Sequence, residues 1–265
     1  MYDLAALESA LAGTVFAGNL HFLPSTGSTN ADALEAARVG APHGSVYFAD
    51  EQTAGRGRGG NNWLSAAGDG LYVSVLLRPR LPAAHLPLLP LAAGLAAAEA
   101  VRSVSSLHAD LRWPNDLLIG PRKTGGILVE AKIESAKNES EGSLHAVVGI
   151  GINVHQRAFP PDLATPATSL DLEAGRRISR QPLLIALLKS LEREAHALLD
   201  PAAGATIPQR VEQASAWVRG RAVEVHGPQA CTGVTEGLDE NGFLLVRTAS
   251  GLVTVQTGGI RDGCA

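Results

Sequence analysis

The sequence predicts an α+β fold, a mixed β-sheet with helices packed on one side, followed by a small all-β module. Two observations predict it. Apolar runs with strand periodicity alternate with amphipathic helix patterns through most of the chain, which is typical of helices layered on a sheet. Beyond Arg219 the pattern changes to short extended runs separated by turns such as 239–242. We therefore expect two parts, one domain over residues 1–217 and a small C-terminal β-barrel domain over residues 218–265.

Helical spacing of apolar residues predicts the helices. A short opening helix covers 2–11, and a second covers 31–39, with Thr29 and Asp32 arranged as its N-terminal cap. An Ala/Leu-rich stretch over 86–104 predicts a long, buried helix whose prolines lie near its start, where proline is tolerated. Amphipathic patterns predict two further helices, over 181–199 and 207–217.

Extended apolar and β-branched runs predict the strands. In the large domain they cover 20–23, 45–50, 71–77, 111–113, 117–119, 127–133 and 147–152. In the module they cover 222–225, 231–234, 243–247 and 252–256. Polar or proline-rich composition predicts a hairpin tip over 134–142 and a loop over 159–175.

Composition and charge exclude several classes of protein. The 265 residues, 45% hydrophobic and 18% charged, suffice for a well-packed core, and a net charge of −4 argues against a general nucleic-acid or membrane-surface binder. Cys231 and Cys264 match neither a redox pair nor a zinc site, which indicates a reducing compartment. No signal segment opens the chain, and the longest uncharged apolar run, 86–98, is too short to span a bilayer. We expect a cytoplasmic protein with no nucleic-acid or membrane partner.

A glycine- and arginine-rich stretch over residues 52–63, the Gly/Arg loop, directly follows a predicted strand. Its glycines let backbone N–H groups approach a ligand, and Arg56 and Arg58 supply charged, planar donors suited to carboxylate and phosphate. The pattern therefore predicts an anion-binding loop. A flexible surface loop and an RNA-binding tract are the alternatives, and the acidic net charge disfavours the second.

Three further polar clusters lie beside predicted strands: residues 28–30, residues 113–116, and Lys123 with residues 125–126. Polar groups that converge on one sheet predict a ligand site. Cations without a nucleophilic triad suit a reaction in which the substrate itself attacks a phosphorus while the protein neutralises developing charge. Lys123 joins the two loop arginines as a candidate for that role.

Two assignments stay open from spacing alone. Asp116 either helps to coordinate a hydrated Mg²⁺ on a nucleotide or caps its own turn. Trp63 and Trp113 either line an apolar ligand pocket or pack in the core, which is the commoner fate of tryptophan.

Five motifs, taken in order, resemble those of the biotin–protein ligase (biotin–acetyl-CoA-carboxylase ligase) family. They are Ser28-Thr29-Asn30, the Gly/Arg loop, Trp113-Pro114-Asn115-Asp116, residues 123–130 and residues 149–153. The resemblance covers roughly residues 20–265 and implies a class II aminoacyl-tRNA synthetase-like catalytic fold with a Src-homology-3-like barrel. It implies a biotin–[biotin carboxyl-carrier protein] ligase, which forms biotinyl-5′-AMP from biotin and MgATP and transfers biotin to one lysine of the carrier of acetyl-CoA carboxylase or a related carboxylase.

The resemblance also implies roles for single residues. The catalytic residues would be Lys123, Arg56 and Arg58. The biotin-binding residues would be Ser28, Thr29, Asn30, Gln52, Gly55, Arg56, Lys123 and Gly126. The nucleotide-binding residues would be Arg58, Trp63, Asn115, Asp116 and Asn153, with Asp116 also near the Mg²⁺ ion.

Some family features differ here. Members with the fuller basic loop carry another arginine where this chain has Gly59. Repressor-type members carry a winged helix-turn-helix domain, and only 27 residues precede Ser28, so we expect a monofunctional ligase. A lipoate or octanoate ligase or transferase of the same fold and a non-catalytic biotin- or adenylate-binding protein are the alternatives. Some family members dimerise by extending the sheet, and for this chain a homodimer is left open.

Overall fold

The computed structural model describes residues 2–79, 85–134 and 143–263. Within these ranges the helices are α1 (Leu4–Ala10), α2 (Thr29–Arg38), α3 (Leu88–Ser105), α4 (Leu170–Ala174), α5 (Arg180–Leu199), α6 (Pro201–Gly204) and α7 (Ile207–Ala214). The strands are β1 (Leu20–Thr26), β2 (Ser45–Gln52), β3 (Gly70–Leu77), β4 (Asp110–Arg112), β5 (Asp116–Ile119), β6 (Arg122–Glu134), β7 (Ser143–Asn153), β8 (Arg219–His226), β9 (Cys231–Leu238), β10 (Leu244–Thr248), β11 (Gly251–Val255) and β12 (Gly259–Asp262). Residues 135–142 of the predicted hairpin tip and Cys264 lie outside the described residues.

The first seven strands form one mixed sheet within the described ranges, in the order β1-β2-β3-β7-β6-β5-β4. β1 and β2 run parallel, and the remaining neighbours pair antiparallel. At the centre, β3 pairs with β7 so that Ser74 lies opposite Gly149 and Tyr72 lies opposite Gly151. The central strands therefore place polar side chains beside positions that carry no side chain.

The two faces of the sheet carry different helices. Because side chains alternate along a strand, Val73 and Val75 of β3 join the main core with α3 and α5, whereas Leu76 packs with Ala33 and Ala37 of α2 on the other face. The predicted fold class, a mixed sheet with helices, is confirmed. The two long helices share one face, and the short α2 is the element that lies opposite them.

The helix α3 is the central element of the main core. Its alanines Ala93, Ala97 and Ala100 are fully buried, and small side chains let the helix approach the sheet closely. Among the described residues it is the helix long and apolar enough to cross a membrane by length and composition, but 61% of it is buried inside the fold. Burial against the sheet and α5 accounts for that composition, because core helices are apolar all round.

The strands β8–β12 form a second, all-antiparallel sheet in the order β11-β10-β9-β8-β12. Its inward-facing apolar residues belong to the same continuous cluster as the main core. The turn between β9 and β10 contacts the turn between β4 and β5, where Trp113 Nε1 donates a hydrogen bond of 3.0 Å to Gly242 O. A Cβ at Gly242 would lie 2.5 Å from Leu91 Cδ1, so this turn packs directly against α3.

Several details differ from the sequence-based expectations, among them the unpredicted four-residue helix α6. The predicted cap at Thr29 is wrong: Ser28 holds the extended cap position, its side chain makes no capping hydrogen bond, and Thr29 is already helical. The loop predicted over 159–175 contains α4, and the strand β12 follows the four predicted strands of the module. Helical and strand periodicity missed these two elements because each is five residues or shorter.

Candidate active site

An open pocket lies on the α2 face of the sheet, between the start of α2 and the Gly/Arg loop. It brings together most of the residues that the sequence singled out, and every one of the five motifs contributes to its lining. Those that line it are Ser28, Thr29, Asn30, Gln52, Arg56, Arg58, Trp63, Asn115, Lys123 and Gly126. Segments far apart in the chain therefore meet at one place.

Three predicted site residues lie behind this lining. Gly55 lies beneath Trp63, since a Cβ there would clash with the Trp63 carbonyl oxygen. Asp116 is reached through Lys123, with which it forms an ion pair. Asn153 is 6% exposed, and its Nδ2 donates to Thr168 O at 3.0 Å rather than pointing into the pocket.

Two glycines of β7 make room for the pocket's side chains. A Cβ at Gly151 would lie 2.6 Å from Trp63 Nε1, and a Cβ at Gly149 would overlap Asn30 Oδ1. Contacts this short do not occur for real side chains, so both positions require glycine. The glycines of this strand thus admit Trp63 and Asn30 to the sheet surface.

The floor of the pocket is a buried hydrogen-bond network. The backbone N–H of Thr29 donates to Gln52 Oε1 at 2.9 Å, and the Thr29 hydroxyl lies 2.8 Å from Ser74 Oγ. Ser74 Oγ in turn donates to Asn30 Oδ1 at 2.6 Å. Thr29, Asn30 and Ser74 are all less than 5% exposed. Because buried polar groups hold their geometry only when paired, this network fixes the side chains that face the pocket.

The backbone of the Gly/Arg loop folds back on itself. Trp63 N donates to Gly55 O at 2.9 Å, and Gly57 N donates to Asn61 O at 2.7 Å. Gly59 adopts a φ of 67°, in the left-handed region that favours glycine, inside the single 3₁₀ turn Arg58–Gly60. The loop is therefore a closed structure that projects its two arginines in different directions.

Each loop arginine has a protein partner. Arg56 pairs with Glu130 Oε1 at 3.0 Å, and both side chains are partly exposed. The Arg58 guanidinium donates to the carbonyl oxygen of Gly258, which directly precedes β12 of the C-terminal sheet. Burial lowers the pKa of Arg58, an effect that nearby Asp116 opposes. A partly desolvated guanidinium binds an anion more strongly than an exposed one does.

Lys123 belongs to a cluster of three charges at the pocket wall. Its Nζ lies 2.5 Å from Asp116 Oδ1, and Arg112 lies 2.6 Å from Asp116 Oδ2. Burial raises the pKa of Asp116, but Lys123 and Arg112 lower it more, so the pKa lies below its usual range. Asp116 therefore stays a carboxylate that orients both cations.

The Trp-Pro-Asn-Asp motif is bound to β6 by two hydrogen bonds between Asn115 and the backbone of Ile127. Asn115 Nδ2 donates to Ile127 O at 2.8 Å, and Ile127 N donates to Asn115 O at 2.8 Å. Gly126 lies beside this pair, and a Cβ there would lie 3.4 Å from the Trp63 ring and 3.6 Å from Lys123 Nζ. The absence of a side chain at Gly126 leaves the Lys123 ammonium uncovered on that side.

The two tryptophans take different places. Trp63 lines the pocket, and Lys123 Nζ lies 5.5 Å from the centre of its ring. Its Nε1 is buried with no hydrogen-bond partner among the described atoms. Trp113 is 4% exposed and belongs to the main core. Of the two readings that spacing left open, pocket lining therefore fits Trp63 and core packing fits Trp113.

Sequence patterns missed four side chains of this site. Ser74 is a polar residue inside an otherwise apolar central strand, and that contrast is the signal that could have found it. Glu130 contacts both Asn30 and Arg56. Arg112 holds Asp116, and Ser65 Oγ accepts from Gln52 Nε2 at 2.9 Å. Glu130 comes from a distant segment, whereas Arg112 and Ser65 lie only 4 and 13 residues from their partners.

A metal site built from protein ligands is not formed by the described part of the chain, where no group of three or more His, Cys, Asp or Glu could hold an ion. Asp116, the predicted contact for Mg²⁺, has one oxygen paired with Lys123 and the other with Arg112. Both carboxylate oxygens of Asp116 are therefore occupied by the two cations, and this arrangement does not fit a metal ion.

The arrangement suits chemistry on an anion. Arg56, Arg58 and Lys123 border one pocket with a neutral, hydrogen-bonding floor. Neither histidine nor cysteine is found among the described residues that line it. Preorganised cations stabilise charge that develops in a transition state, and they do so without forming a covalent intermediate. The pocket can therefore bind a carboxylate beside a phosphate and promote a reaction between them.

Comparisons with known proteins agree with this geometry. The sequence matches the biotin/lipoate A/B protein ligase family over residues 22–153 and the biotin protein ligase C-terminal domain over residues 219–260. The biotin–[acetyl-CoA-carboxylase] ligase of Mycobacterium tuberculosis is 34% identical over 256 residues, which cover 91% of this chain and 88% of that protein. The bifunctional ligase/repressor BirA of Bacillus subtilis is 34% identical over 241 residues, 89% of this chain and 71% of that protein.

The fold is similar to that of solved biotin protein ligases. The Aquifex aeolicus enzyme in complex with biotin and ATP superposes with a TM-score of 0.77 at 31% identity, over 92% of this chain and 98% of that one. A structure of the Leishmania major enzyme with biotinyl-5-AMP gives a TM-score of 0.59 at 26% identity, over 93% and 99% of the two chains.

Proposed function

The chain belongs to the biotin/lipoate A/B protein ligase family and catalyses biotin ligation, and we propose how the residues of its pocket divide that reaction. In the first step an oxygen of the biotin carboxylate attacks the α-phosphorus of ATP, the bond to pyrophosphate breaks, and biotinyl-5′-AMP forms. In the second step the ε-amine of a carrier lysine attacks the acyl carbon. The acyl–oxygen bond breaks, AMP leaves, and the amine loses a proton.

One observation supports this division of roles. Arg56, Arg58 and Lys123 border the same pocket, and its floor is made of neutral side chains that both donate and accept hydrogen bonds. The cations suit the carboxylate and phosphate, whereas the floor suits a neutral polar ring. A substrate that carries both groups, as biotin does, therefore has one orientation in the pocket.

We assign the biotin ring to the floor. Its ureido group has N–H donors and a carbonyl acceptor, which complement the hydroxyl and amide groups of Thr29, Asn30 and Gln52, with Ser28 beside them. Gly126 contributes backbone without a side chain, and the absence of a side chain at Gly55 leaves room for the Trp63 backbone at the other end of the loop. Hydrogen bonds to a ring of fixed shape discriminate strongly against a substrate that lacks the partner groups.

We assign the carboxylate and the α-phosphate to the three cations. Lys123 lies at the pocket wall with a pairing distance of 2.5 Å to Asp116, and its ammonium would neutralise charge that builds up on the phosphorus oxygens. Arg56 and Arg58 would close over the carboxylate and the α-phosphate, since guanidinium groups bind such anions through two hydrogen bonds at once. Positioning and charge neutralisation are the two contributions required of the protein.

We assign the nucleotide to the end of the pocket bordered by Trp63, Asn115 and Arg58, with Asp116 and Asn153 behind them. The Trp63 ring offers an apolar surface to the nucleotide. Asn153 would act through Thr168, to which its amide is bound at 3.0 Å.

Magnesium enters this proposal as part of the substrate, MgATP. Mg²⁺ on a nucleotide is held mainly by phosphate oxygens and water, so the protein need not supply a cage of its own. Because both oxygens of Asp116 are paired with cations, we route no step through an ion held by that residue.

We propose a biotin carboxyl carrier protein, from acetyl-CoA carboxylase or a related carboxylase, as the acceptor. The support is that relatives of 34% and 32% identity are named biotin–[acetyl-CoA-carboxylase] ligase. We also propose that residues 1–217 form the biotin- and ATP-binding domain and residues 218–265 a small β-barrel domain, and that the reaction takes place in the cytoplasm, where ATP is supplied. A lipoate ligase is the less favoured alternative, because the match over residues 219–260 is to a biotin protein ligase domain.

Exchange of labelled pyrophosphate into ATP tests the proposal. The reverse of the first step forms ATP from biotinyl-5′-AMP and pyrophosphate, so the exchange must depend on the acid that is activated. We expect exchange with biotin and none with lipoate or octanoate. Exchange that depends on lipoate would establish the alternative enzyme, and no exchange with any acid would establish a binding protein.

A further inference from the structure

Glu130 of β6 lies between the floor of the pocket and the Gly/Arg loop. Its Oε2 accepts a hydrogen bond of 2.9 Å from Asn30 Nδ2, and its Oε1 accepts one of 3.0 Å from Arg56. The carboxylate is 26% exposed, whereas Asn30 is 4% exposed. One side chain is thus bound at once to the buried floor of the site and to a cation of the loop.

The carboxylate, together with a longer contact of 3.5 Å to Leu128 O, determines which way the Asn30 amide points. A carboxylate only accepts hydrogen bonds, so the group of Asn30 that faces Glu130 must be the NH₂ group. The Asn30 oxygen then faces Ser74, and Ser74 Oγ donates to it at 2.6 Å. Because a hydroxyl has one proton, Ser74 must accept at its other contact, 2.8 Å from Thr29 Oγ1. The Thr29 hydroxyl is therefore the donor in that contact, and its one proton is then directed to Ser74 rather than to Gln52 Oε1, which lies 3.1 Å from the same hydroxyl.

The chain of hydrogen bonds continues to the far end of the loop. Gln52 Oε1 accepts from the backbone of Thr29, which leaves Gln52 Nε2 to donate to Ser65 Oγ at 2.9 Å. Ser65 Oγ donates to Trp63 O at 3.1 Å. The network thus starts at Arg56, passes through the floor and ends at Trp63, so both ends of the Gly/Arg loop are bound to it.

From these contacts we propose that Glu130 is a positioning residue for biotin, which rests on the proposed function of the pocket. It sets the direction of the Asn30–Ser74 and Ser74–Thr29 hydrogen bonds, and so sets which of these side-chain groups face the ring as donors and which as acceptors. It also holds Arg56 at the pocket edge. A neutral side chain of the same shape fills the same space but permits the reversed network, in which the floor presents the wrong pattern to the ligand.

An exchange of the two side chains tests this directly. Glu130→Gln leaves an amide that can face Asn30 with its own NH₂ group, and Asn30→Asp leaves two carboxylates in contact. The double variant Asn30→Asp/Glu130→Gln restores the pattern, because the new carboxylate accepts both from Ser74 and from the new amide. Glu35→Gln, which removes an exposed ion pair with Arg38 on the same helix as Asn30, is the matched control.

Each single variant should raise the KM for biotin about 10- to 100-fold, the loss expected for a hydrogen bond to a charged group, and leave the KM for ATP nearly unchanged. The double variant should recover most of the affinity for biotin, and the control should behave as the unaltered chain. The proposal would be overturned if the KM for biotin of the double variant rises by the product of the two single increases. It would also be overturned if the single variants have an unchanged KM for biotin.

A second measurement needs no substrate, and so separates this inference from the proposed function. Thermal unfolding of the unaltered chain, the two single variants and the double variant should show the same coupling. The double variant should lose less stability than the two single variants lose together. Trypsin should cleave after Arg56 faster in Glu130→Gln than in Glu35→Gln. If the Tm changes of the two single variants simply add in the double variant, and trypsin cleavage is unchanged, Glu130 does not have this role. That conclusion would hold even if the chain shows normal biotin-dependent pyrophosphate exchange. Strong coupling between Asn30 and Glu130 in a chain that shows no biotin-dependent exchange would support the orienting role of Glu130 but overturn the assignment of the pocket to biotin.

Discussion

The ammonium nitrogen of Lys123 lies 2.5 Å from Asp116 Oδ1, and the second oxygen of that carboxylate lies 2.6 Å from Arg112. Two cations thus share one anion, and the cluster keeps one net positive charge at the pocket wall. Asp116 is only 15% exposed, so solvent screens these contacts weakly. Lys123 is therefore held in place before a phosphate arrives, which is the condition for effective stabilisation of a transition state.

Loss of the Lys123 charge should affect chemistry more than binding. Lys123→Ala should slow biotinyl-5′-AMP formation about 10²- to 10³-fold, the loss typical for one preorganised group at a developing charge. Affinity for biotin should change little, because the floor holds the ring. Single-turnover adenylate formation and equilibrium binding of biotin measure the two effects, with the exposed Lys189→Ala on α5 as control. An unchanged rate of adenylate formation would remove Lys123 from the mechanism.

The Asp116 carboxylate should contribute stability that depends on pH. Its folded pKa lies below the unfolded value of about 3.9, because the opposing effect of burial is exceeded by Lys123 and Arg112. Its contribution is therefore fully present above that value and is lost as the pH falls through the folded pKa. Asp116→Asn should lower the Tm at pH 7.

The difference in Tm between the two chains should narrow as the pH falls below about 4, where the unaltered chain loses the same contribution. Thermal unfolding across the acid range measures this, and Asp162→Asn, at an exposed position, is the control that should leave the curve unchanged. A Tm difference that stays constant with pH would show that the Asp116 charge does not stabilise the fold.

A side chain at Gly151 should displace Trp63 from the pocket. The Cβ of Gly151→Ala would lie 2.6 Å from Trp63 Nε1, and overpacking of this kind costs about 1–3 kcal/mol. We expect a lower Tm and a higher KM for ATP, accompanied by a change in tryptophan fluorescence. Gly94→Ala, where the Cβ meets Leu111 at an ordinary 3.4 Å, should keep both the Tm and the KM. An active Gly151→Ala enzyme with unaltered fluorescence would argue against the position of Trp63.

The Gly/Arg loop should retain the adenylate. Arg56 lies at the pocket edge, held by Glu130 at 3.0 Å, and its removal opens one side of the site. Arg56→Ala should therefore release biotinyl-5′-AMP, which would be seen as biotinylation of bystander proteins in a mixture with the carrier. Arg38→Ala, at an exposed ion pair on α2, should label the carrier alone. Equal bystander labelling by both variants would contradict a lid role for this arginine.

The sequence was sufficient for those parts of the site that lie in contiguous motifs. Arg56, Lys123 and Asn115 stand in short runs of glycine and polar residues at strand ends, and such runs are visible without a structure. The sheet that brings them together follows from apolar periodicity, which also predicted α3 and α5.

The remaining contacts depend on register and distance in space. Glu130 meets Asn30 across a separation of 100 residues, and Arg58 meets the Gly258 carbonyl across 200. No local pattern encodes such a pair. The misassigned cap has the same cause: Thr29 suits an N-cap by propensity, but its hydroxyl pairs with Ser74, a partner set by the packing of α2 on β3.

The central claim, that the biotin carboxylate itself attacks the α-phosphorus in this pocket, is tested most directly with biotin labelled with ¹⁸O in both carboxylate oxygens. The enzyme is incubated with labelled biotin and ATP, hydroxylamine is added as the acyl acceptor, and AMP and pyrophosphate are analysed by mass spectrometry. The account predicts one ¹⁸O in AMP and none in pyrophosphate, because the attacking oxygen stays on phosphorus when the acyl bond breaks. Unlabelled AMP, or label in pyrophosphate, would contradict it.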